Sequence, residues 1–235
     1  MLTGIIGAMA VETDAIKALV DAPVVERVAN IEFVRGRLCG KEVVIAQCGI
    51  GKVFAAICAE AMILKYSPAR IINTGVAGTL SEKVGLLDIA ISSSVVEHDM
   101  DTSPLGDPVG LISGINVVNI PASETLVAEI RSAAERLGKA CAVGVIASGD
   151  QFIADKEKKE YIRDTFSAIA CEMEGAAIGH VCYVNGVDFA VIRCISDNAD
   201  DAAGAMDYPT LCQKAAEQSQ MLMTELLSHK AKKQA

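Results

Sequence analysis

The stretch Ala170-Cys-Glu-Met-Glu-Gly-Ala-Ala177 joins a short apolar run to a segment with helical patterning. We interpret it as the junction at which a buried strand, residues 168–171, ends and a helix, residues 174–185, begins. A second apolar run, residues 188–195, predicts another strand directly after that helix. Together these segments predict a strand–helix–strand unit, which is typical of an α/β fold.

Three carboxylates lie at the ends of these two predicted strands. Glu172 and Glu174 occupy the junction, and Asp197 follows the second apolar run. Acidic side chains are costly to desolvate, so their clustering at buried strand ends indicates a functional site. Structural alternatives remain open, since the two glutamates would fit a solvated turn and Asp197 would fit a cap.

The same alternation of strand and helix extends outward to both ends of the chain. Further strands are predicted at residues 3–8, 31–38, 42–47, 70–73, 87–96 and 142–147, and further helices at residues 10–19, 53–65, 123–137, 157–165 and 208–229. Residues 98–115, rich in Asp, Gly and Pro, predict a long loop of the kind that is often functional. We therefore expect one domain over residues 1–235, an α/β/α arrangement of three layers around a mixed, largely parallel sheet. Residues 230–235 are expected to form a frayed tail.

Five polar or glycine-rich segments directly follow predicted strands. They are residues 7–12, 75–78, 148–152, 172–174 and 196–197. In open α/β sheets the ligand crevice lies at the carboxyl ends of the strands. We therefore expect these segments to converge on one site, which adds Glu12 to the candidate carboxylates. Glu12 alone would equally fit an acid in the first turn of a helix.

Composition excludes several classes of function. The net charge of −9 argues against nucleic-acid binding, which requires Lys and Arg to neutralise phosphates. The apolar runs are too short to span a membrane, and the N-terminus lacks a basic segment of the signal-peptide type, so we expect a cytoplasmic protein. The eight cysteines are scattered and include no Cys-x-x-Cys pair, which favours buried thiols in a reducing compartment. With three histidines in the chain, a zinc site has few possible ligands, so we expect no metal site.

Two glycine-rich motifs have more than one interpretation. Cys48-Gly-Ile-Gly-Lys52 lacks the glycine and the Ser/Thr of a phosphate loop, which favours a tight turn close to a ligand. Thr74-Gly-Val-Ala-Gly78 fits either a turn or the wall of a ligand site. His98, beside Asp99, would suit a metal site or a catalytic dyad, but a structural role is more typical of a histidine in a polar loop.

Taken together, these motifs resemble those of the 5′-methylthioadenosine/S-adenosylhomocysteine nucleosidases, within the nucleoside phosphorylase/hydrolase superfamily. The matching segments occur in order from the first strand to near residue 200. They are Gly4-Ile-Ile-Gly-Ala-Met9 with Glu12, Gly49-Ile-Gly-Lys-Val53, Ile72-Asn-Thr-Gly-Val-Ala-Gly78, His98-Asp99, Ser148-Gly-Asp-Gln-Phe-Ile153, Glu172-Met-Glu174 with Ala176-Ala-Ile178, and Arg193-x-Ile-Ser-Asp197. The resemblance implies a nucleoside phosphorylase-like fold and hydrolysis of the N-glycosidic bond, which releases adenine and a 5-thioribose sugar.

The resemblance also implies roles for individual residues. Glu12 would activate the attacking water, and Asp197 would deliver a proton to purine N7. Glu174 would hold the ribose hydroxyls, with Met173 packed against the sugar. The further substrate-binding residues would be Ile50, Val76, Ala77, Gly78, Phe152, Ile153, Glu172, Arg193 and Ser196, with Phe152 stacked on adenine and the backbone of Ile153 at the adenine edge.

Cleavage of an N-glycosidic bond explains these residue types. Positive charge develops on the sugar and negative charge on the departing base, so carboxylates near the sugar favour the reaction. The rivals are a nucleoside phosphorylase, a hydrolase of a related nucleoside such as aminodeoxyfutalosine, and a non-catalytic nucleoside-binding protein. Val76 replaces the Ser or Thr of many relatives, and Leu105 replaces an aromatic residue in a loop that relatives use at a two-fold interface. The resemblance therefore also implies a homodimer.

Overall fold

In the computed structural model, which describes residues 1–197 and 208–229, the strands form one ten-stranded mixed sheet. The strands are β1 (Thr3–Gly7), β2 (Asp21–Val28), β3 (Ile31–Leu38), β4 (Lys41–Gln47), β5 (Arg70–Thr79), β6 (Ile89–Glu97), β7 (Ile120–Pro121), β8 (Cys141–Ser148), β9 (Ala168–Glu172) and β10 (Asp188–Asp197). The helices are α1 (Ala10–Lys17), α2 (Lys52–Tyr66), α3 (Glu124–Arg136), α4 (Lys156–Phe166), α5 (Gly175–Asn185) and α6 (Tyr208–Ser228), with a 3-10 turn at Ser103–Leu105. The tail predicted at residues 230–235 lies outside the described residues.

The centre of the sheet is parallel and its margins are antiparallel. Strands β4, β1, β5 and β10 run parallel to one another, as do β6, β8 and β9. The hairpin β3–β4, the pair β2–β3 and the contacts β6–β10, β5–β9 and β6–β7 are antiparallel. The expected mixed sheet is thus confirmed, and its parallel character belongs to these two blocks of strands.

Part of the sheet closes on itself. Strand β10 pairs with β5 on one side and with β6 on the other, while β6, β8, β9 and β5 are neighbours in that order. Five strands therefore form a ring, and β1, β4, β3 and β2 extend from it through β5. Residues at the carboxyl ends of β5, β9 and β10 and residues just after β8 line a common space, where the ends of the antiparallel strands β5 and β9 overlap.

Two separate apolar cores cover the two faces of the β1–β4 region. Alternate residues of β1, Ile5 and Ile6, point to opposite faces, as a strand requires. Ile6 joins the core that α2 and α5 cover, whereas Ile5 joins the core that α1, α3 and α6 cover. None of the described helices combines the length and apolar character that a bilayer span needs.

Besides the two-residue strand β7, which was not predicted, two segments differ from the sequence-based expectation. Strand β2 was not predicted, because it lies at the sheet edge, is mostly exposed and carries Pro23, which an edge strand tolerates. Thr74-Gly-Val-Ala-Gly78 is not a turn, since β5 continues through Thr79 and pairs with β10. The pairing explains the difference, because a neighbouring strand supplies hydrogen bonds that the local sequence does not reveal.

Candidate active site

Segments from six parts of the chain enclose one cavity at the carboxyl ends of the strands. They are the β1–α1 connection, the loop before α2, the end of β5, the loop after β8 and the ends of β9 and β10. The lining residues are Ala8, Met9, Glu12, Ile50, Val76, Ala77, Gly78, Gln151, Phe152, Ile153, Cys171, Glu172, Met173, Glu174, Arg193, Ser196 and Asp197. The predicted convergence is therefore present in the structure, and all thirteen predicted site residues lie on this cavity.

The carboxylate of Glu12 is buried and held by three backbone N–H groups. Ala8 and Met9 donate to Oε2 at 2.7 and 2.9 Å, and Val76 donates to Oε1 at 3.0 Å. The first two donors lie in the β1–α1 connection, directly before α1. Glu12 thereby links α1 to β5 and presents a fixed carboxylate to the cavity.

Gly75 makes the close approach of Glu12 to its neighbours possible. A Cβ atom at this position would lie 2.5 Å from Glu12 Oε1 and would overlap Arg193 Nη1. The φ of Gly75 lies outside the left-handed region, so the requirement here is space. From the sequence, this segment fitted the wall of a ligand site, whereas the structure shows that the space at Gly75 is taken by the side chains of Glu12 and Arg193.

Arg193 is fully enclosed, and both of its terminal nitrogens have partners, whereas its buried Nε has no hydrogen-bond partner among the described residues. Its Nη2 donates to Glu172 Oε2 and to Asn73 Oδ1, its Nη1 donates to Val76 O at 3.3 Å, and Glu174 Oε2 lies 3.5 Å from Nη2. Buried guanidinium groups require such partners because an unpaired charge is costly to desolvate. Asn73 was not predicted, although a polar residue inside the apolar β5 run could have indicated it.

Glu172 directs its carboxylate mainly toward the protein. In addition to Arg193, it accepts hydrogen bonds from Ser148 Oγ, from Glu174 N at 3.0 Å and from Gly175 N at 2.8 Å. These contacts fix the β9–α5 junction against the end of β8. The structure therefore favours a supporting role for Glu172 at the cavity wall.

Glu174 is a buried carboxylate with a raised pKa. It is the residue before α5, and its Oε1 accepts a hydrogen bond from Gly51 N at 2.9 Å. Burial raises the pKa of Glu174 to about 7, with Arg193 acting against the shift and Glu172 adding to it. A shifted carboxylate in a cleft is a recognised sign of a functional site.

Asp197 ends β10 and lies opposite Gly78 of β5. Ser196 Oγ donates to Asp197 Oδ2 at 3.0 Å, and an irregularity in the β10–β5 register falls between Ile195 and Asp197. Such bulges often redirect a side chain next to an active site. Asp197 is buried.

Apolar side chains complete the cavity. Ile153 is buried, whereas Phe152 is 62% exposed and Ile50 is 55% exposed at the rim. Met9 and Cys171 were not among the predicted site residues. Burial raises the pKa of the Cys171 thiol to about 12, so it is neutral at physiological pH. Six of the eight cysteines are buried, as the sequence predicts, whereas Cys39 is exposed and Cys141 is partly exposed.

His98 lies outside the cavity lining. Its ring is buried against Gly149, and a Cβ atom at Gly149 would overlap it. Burial lowers the pKa of His98, which favours the neutral ring. Within residues 1–197 and 208–229, no group of three or more His, Cys, Asp or Glu side chains is arranged to hold a metal ion.

The sequence model of the Phosphorylase superfamily matches residues 3–228 of the chain. The 5′-methylthioadenosine/S-adenosylhomocysteine nucleosidase of Shewanella frigidimarina is 41% identical over 230 residues, which cover 97% of this chain and 99% of the relative.

Two solved structures are closely similar. The 5′-methylthioadenosine/S-adenosylhomocysteine nucleosidase of Neisseria meningitidis, in complex with methylthio-immucillin-A, has a TM-score of 0.92 and 30% identity, with 97% of this chain and 98% of that chain covered. The futalosine hydrolase of Helicobacter pylori has a TM-score of 0.90 and 35% identity, with 96% and 97% covered. The fold is therefore nucleoside phosphorylase-like, and the chain belongs to the 5′-methylthioadenosine/S-adenosylhomocysteine nucleosidase family within the Phosphorylase superfamily.

Proposed function

We propose that this protein hydrolyses the N-glycosidic bond of 5′-methylthioadenosine and S-adenosylhomocysteine, releasing adenine and the 5-thioribose sugar. The observation that carries the proposal is the charge of the cavity wall. Glu12, Glu172, Glu174 and Asp197 line it, and Arg193 is the one cation among the described lining residues. Such a wall suits a sugar that becomes positively charged as its bond to the base breaks.

In the proposed mechanism, Glu12 accepts a proton from a water molecule, which attacks the anomeric carbon. The bond from this carbon to the purine nitrogen breaks, and the electron pair leaves with the base. Asp197 then supplies a proton to N7, so adenine departs neutral. General acid–base steps of this kind typically contribute about 10²- to 10⁴-fold each to the rate.

The remaining cavity residues are proposed to bind the nucleoside. Glu174 would accept hydrogen bonds from the ribose hydroxyls, and Met173 would pack against the sugar. Phe152 would stack on adenine, while the backbone of Ile153 would contact its polar edge. The exposed position of Phe152 at the rim supports this assignment, because the ring is accessible to an incoming base.

Phosphorolysis is the less suitable reaction for this cavity. A phosphate dianion requires cationic donors that are free to bind it. The guanidinium of Arg193 is instead engaged by Glu172, Asn73 and Val76, and Glu12 adds negative charge beside it. Water is therefore the proposed nucleophile, and no metal or cofactor is required by this scheme.

Product identification tests the reaction directly. The protein would be incubated with 5′-methylthioadenosine, with and without phosphate, and the sugar product identified by mass spectrometry. We expect adenine release at the same rate in both samples and a free sugar product. A strict requirement for phosphate, or a sugar 1-phosphate product, would establish a phosphorylase instead.

Hydrolysis of aminodeoxyfutalosine is the second candidate activity. The similarity to the futalosine hydrolase of Helicobacter pylori supports it. A comparison of kcat/KM for the three nucleosides on one protein preparation ranks these substrates.

We also propose that the chain forms a homodimer through α2 and α5. Exposed apolar side chains concentrate there: Val53, Ile57, Leu64, Tyr183 and Val184. An open groove next to them is lined by residues of α2 and by Val28 and Val181. Apolar patches of this kind commonly mark protein interfaces. Leu105, 83% exposed on its 3-10 turn, is proposed to lie near the partner's cavity.

The broader properties of the protein follow from these proposals. We propose a cytoplasmic protein with no nucleic-acid partner and a single domain over residues 1–235. Its arrangement is proposed to be three-layered, with α1, α3 and α6 on one side of the sheet and α2 and α5 on the other. The two separate cores support this description, although the five-stranded ring departs from an open sheet.

A further inference from the structure

A cluster of charged side chains outside the cavity wall surrounds Lys52, the first residue of α2. Its Nζ lies 2.6 Å from Asp99 Oδ1 and 3.3 Å from Glu97 Oε2, and Glu97 Oε1 lies 3.0 Å from His180 Nδ1. Burial alone lowers the pKa of Lys52, but Asp99 and Glu97 together raise it by more. The ammonium therefore remains charged and is held between two carboxylates.

Backbone hydrogen bonds extend this ion pair into a closed circuit. Lys52 N donates to Asp150 Oδ1 at 2.8 Å, and Asp150 N donates to Asp99 Oδ2 at 2.9 Å. The ion pair of Lys52 with Asp99 completes the circuit. We call these three residues, which come from the start of α2 and from the loops after β6 and β8, the Lys52 clasp.

The turn before α2 and the loop that carries Asp150 approach each other closely. Gly51 has a φ of +99°, which favours glycine, and a Cβ atom there would lie 3.1 Å from Asp150 Oδ1. The glycine before Lys52 therefore permits both the turn and the contact across it.

The Lys52 clasp lies between two parts of the cavity wall. On one side, Gly51 N donates to Glu174 Oε1, and Ile50 lines the cavity. On the other side, Asp150 is followed by the lining residues Gln151, Phe152 and Ile153. None of the three clasp residues itself lines the cavity.

We infer that Lys52 is a positioning residue, which uses the clasp to hold the Glu174 side of the cavity and the Phe152 side at the spacing that a purine nucleoside requires. The inference rests on the proposed function, because it concerns the same cavity. Opening the clasp would release both walls together. Glu12 and Asp197 are held by β1, α1, β5 and β10, so the groups proposed for the chemical step would stay in place.

The test compares Lys52→Gln and Asp99→Asn with the control Arg131→Gln, which removes an exposed ion pair on α3. We expect each clasp variant to raise the KM for 5′-methylthioadenosine and the Kd for adenine, measured by calorimetry, about tenfold, while kcat changes less than about threefold. Lys52→Arg keeps the positive charge, so its affinity for adenine should lie between those of the wild type and Lys52→Gln. The double variant Lys52→Gln/Asp99→Asn should lose little more adenine affinity than either single variant, because both substitutions open the same circuit.

Adenine binding separates this inference from the proposed function. Unchanged adenine affinity in both clasp variants would overturn the positioning role, as would a lower unfolding temperature accompanied by an unchanged Kd. A wild-type protein that binds adenine but cleaves no nucleoside would contradict the proposed function alone. A wild-type protein that binds no adenine would contradict both.

Discussion

Glu12 combines two roles that the sequence left as alternatives. It stands in the first turn of α1 and accepts hydrogen bonds from Ala8 N and Met9 N, as an acid at a helix start is expected to do. It also contacts Val76 N on β5 and lines the cavity. The structural contacts fix the orientation of the carboxylate, and that orientation is what a positioned base requires.

Loss of either group proposed for proton transfer should lower the catalytic rate without changing the fold. Glu12→Gln and Asp197→Asn preserve side-chain size but remove the proton-transfer function, and Glu12→Gln also replaces one of the two oxygens that accept backbone hydrogen bonds. We expect kcat for adenine release to fall at least about 100-fold in each, with an unchanged circular dichroism spectrum. Glu135→Gln and Asp164→Asn, at exposed helix positions, serve as matched controls. Near-normal kcat in either cavity variant would refute the proposed mechanism.

The charge on Glu174 should reduce stability at neutral and alkaline pH. Burial raises its pKa from 4.5 to about 7, so the folded protein binds this proton more tightly than the unfolded chain. Stability contributed by the protonated form is therefore lost as pH rises from 4.5 to 7. We expect Glu174→Gln to unfold at a higher temperature than wild type at pH 8, with a smaller difference at pH 5. An equal difference at both pH values would contradict this origin, and catalytic activity should be lost in any case.

At the scale of elements, the strand β5 shows how close packing constrains the site. Gly75 lies where Glu12 and Arg193 meet, and Val76, Ala77 and Gly78 line the cavity next to it. Because β10 pairs along the same stretch, β5 cannot shift to accommodate a larger residue without disturbing that pairing. The strand is therefore both a sheet element and the support of the carboxylate cluster.

Gly75→Ala tests this constraint. The added methyl group would overlap Arg193 and press on Glu12, and overpacking of this kind costs about 1 to 3 kcal/mol of stability. We expect a lower unfolding temperature and a kcat reduced by more than about tenfold, since the carboxylate must move. Gly114→Ala, where an added Cβ has no neighbour within 4 Å, is the control. Wild-type kcat in Gly75→Ala would show that Glu12 tolerates displacement.

The local sequence pattern predicted most of the strands and helices, because the periodicity of their apolar residues matches the side that each one buries. The strands β1, β3, β4, β8 and β9 and all six helices lie close to their predicted ranges. The convergence of the site followed from a general rule on strand ends. The contacts that the sequence did not reveal join residues distant in the chain. Examples are the hydrogen bonds from Ser148 and Arg193 to Glu172 and the hydrogen bond from Lys52 to Asp99. Such pairings become visible only once the strands are assembled.

At the scale of the whole molecule, the apolar surface of α2 and α5 lies on the same helices that carry the site. Lys52 begins α2, and Glu174 directly precedes α5. These helices also pack against each other over the core. A partner bound to their outer faces would therefore stabilise the elements that hold the cavity wall.

Disruption of this surface should produce a monomer. Leu64→Asp and Val184→Asp place charges on exposed apolar positions of α2 and α5. We expect light scattering at micromolar concentration to give the dimer mass for wild type and the monomer mass for the double variant. Leu86→Asp, an exposed apolar position between β5 and β6, should remain dimeric. A monomeric wild type would refute the proposed assembly.

The five-stranded ring has a consequence for the order of folding. The ring closes only when β10 pairs with β5 and β6, and these pairings join residues more than a hundred positions apart in the chain. Contacts this distant in sequence form slowly, because the entropy of closing a long loop must be overcome first. On a ribosome, a nascent chain ending before residue 188 would lack both Arg193 and Asp197. The cavity is therefore completed only after β10 has been synthesised, and a partial chain carries an open sheet edge at β6, which is prone to pair with other chains.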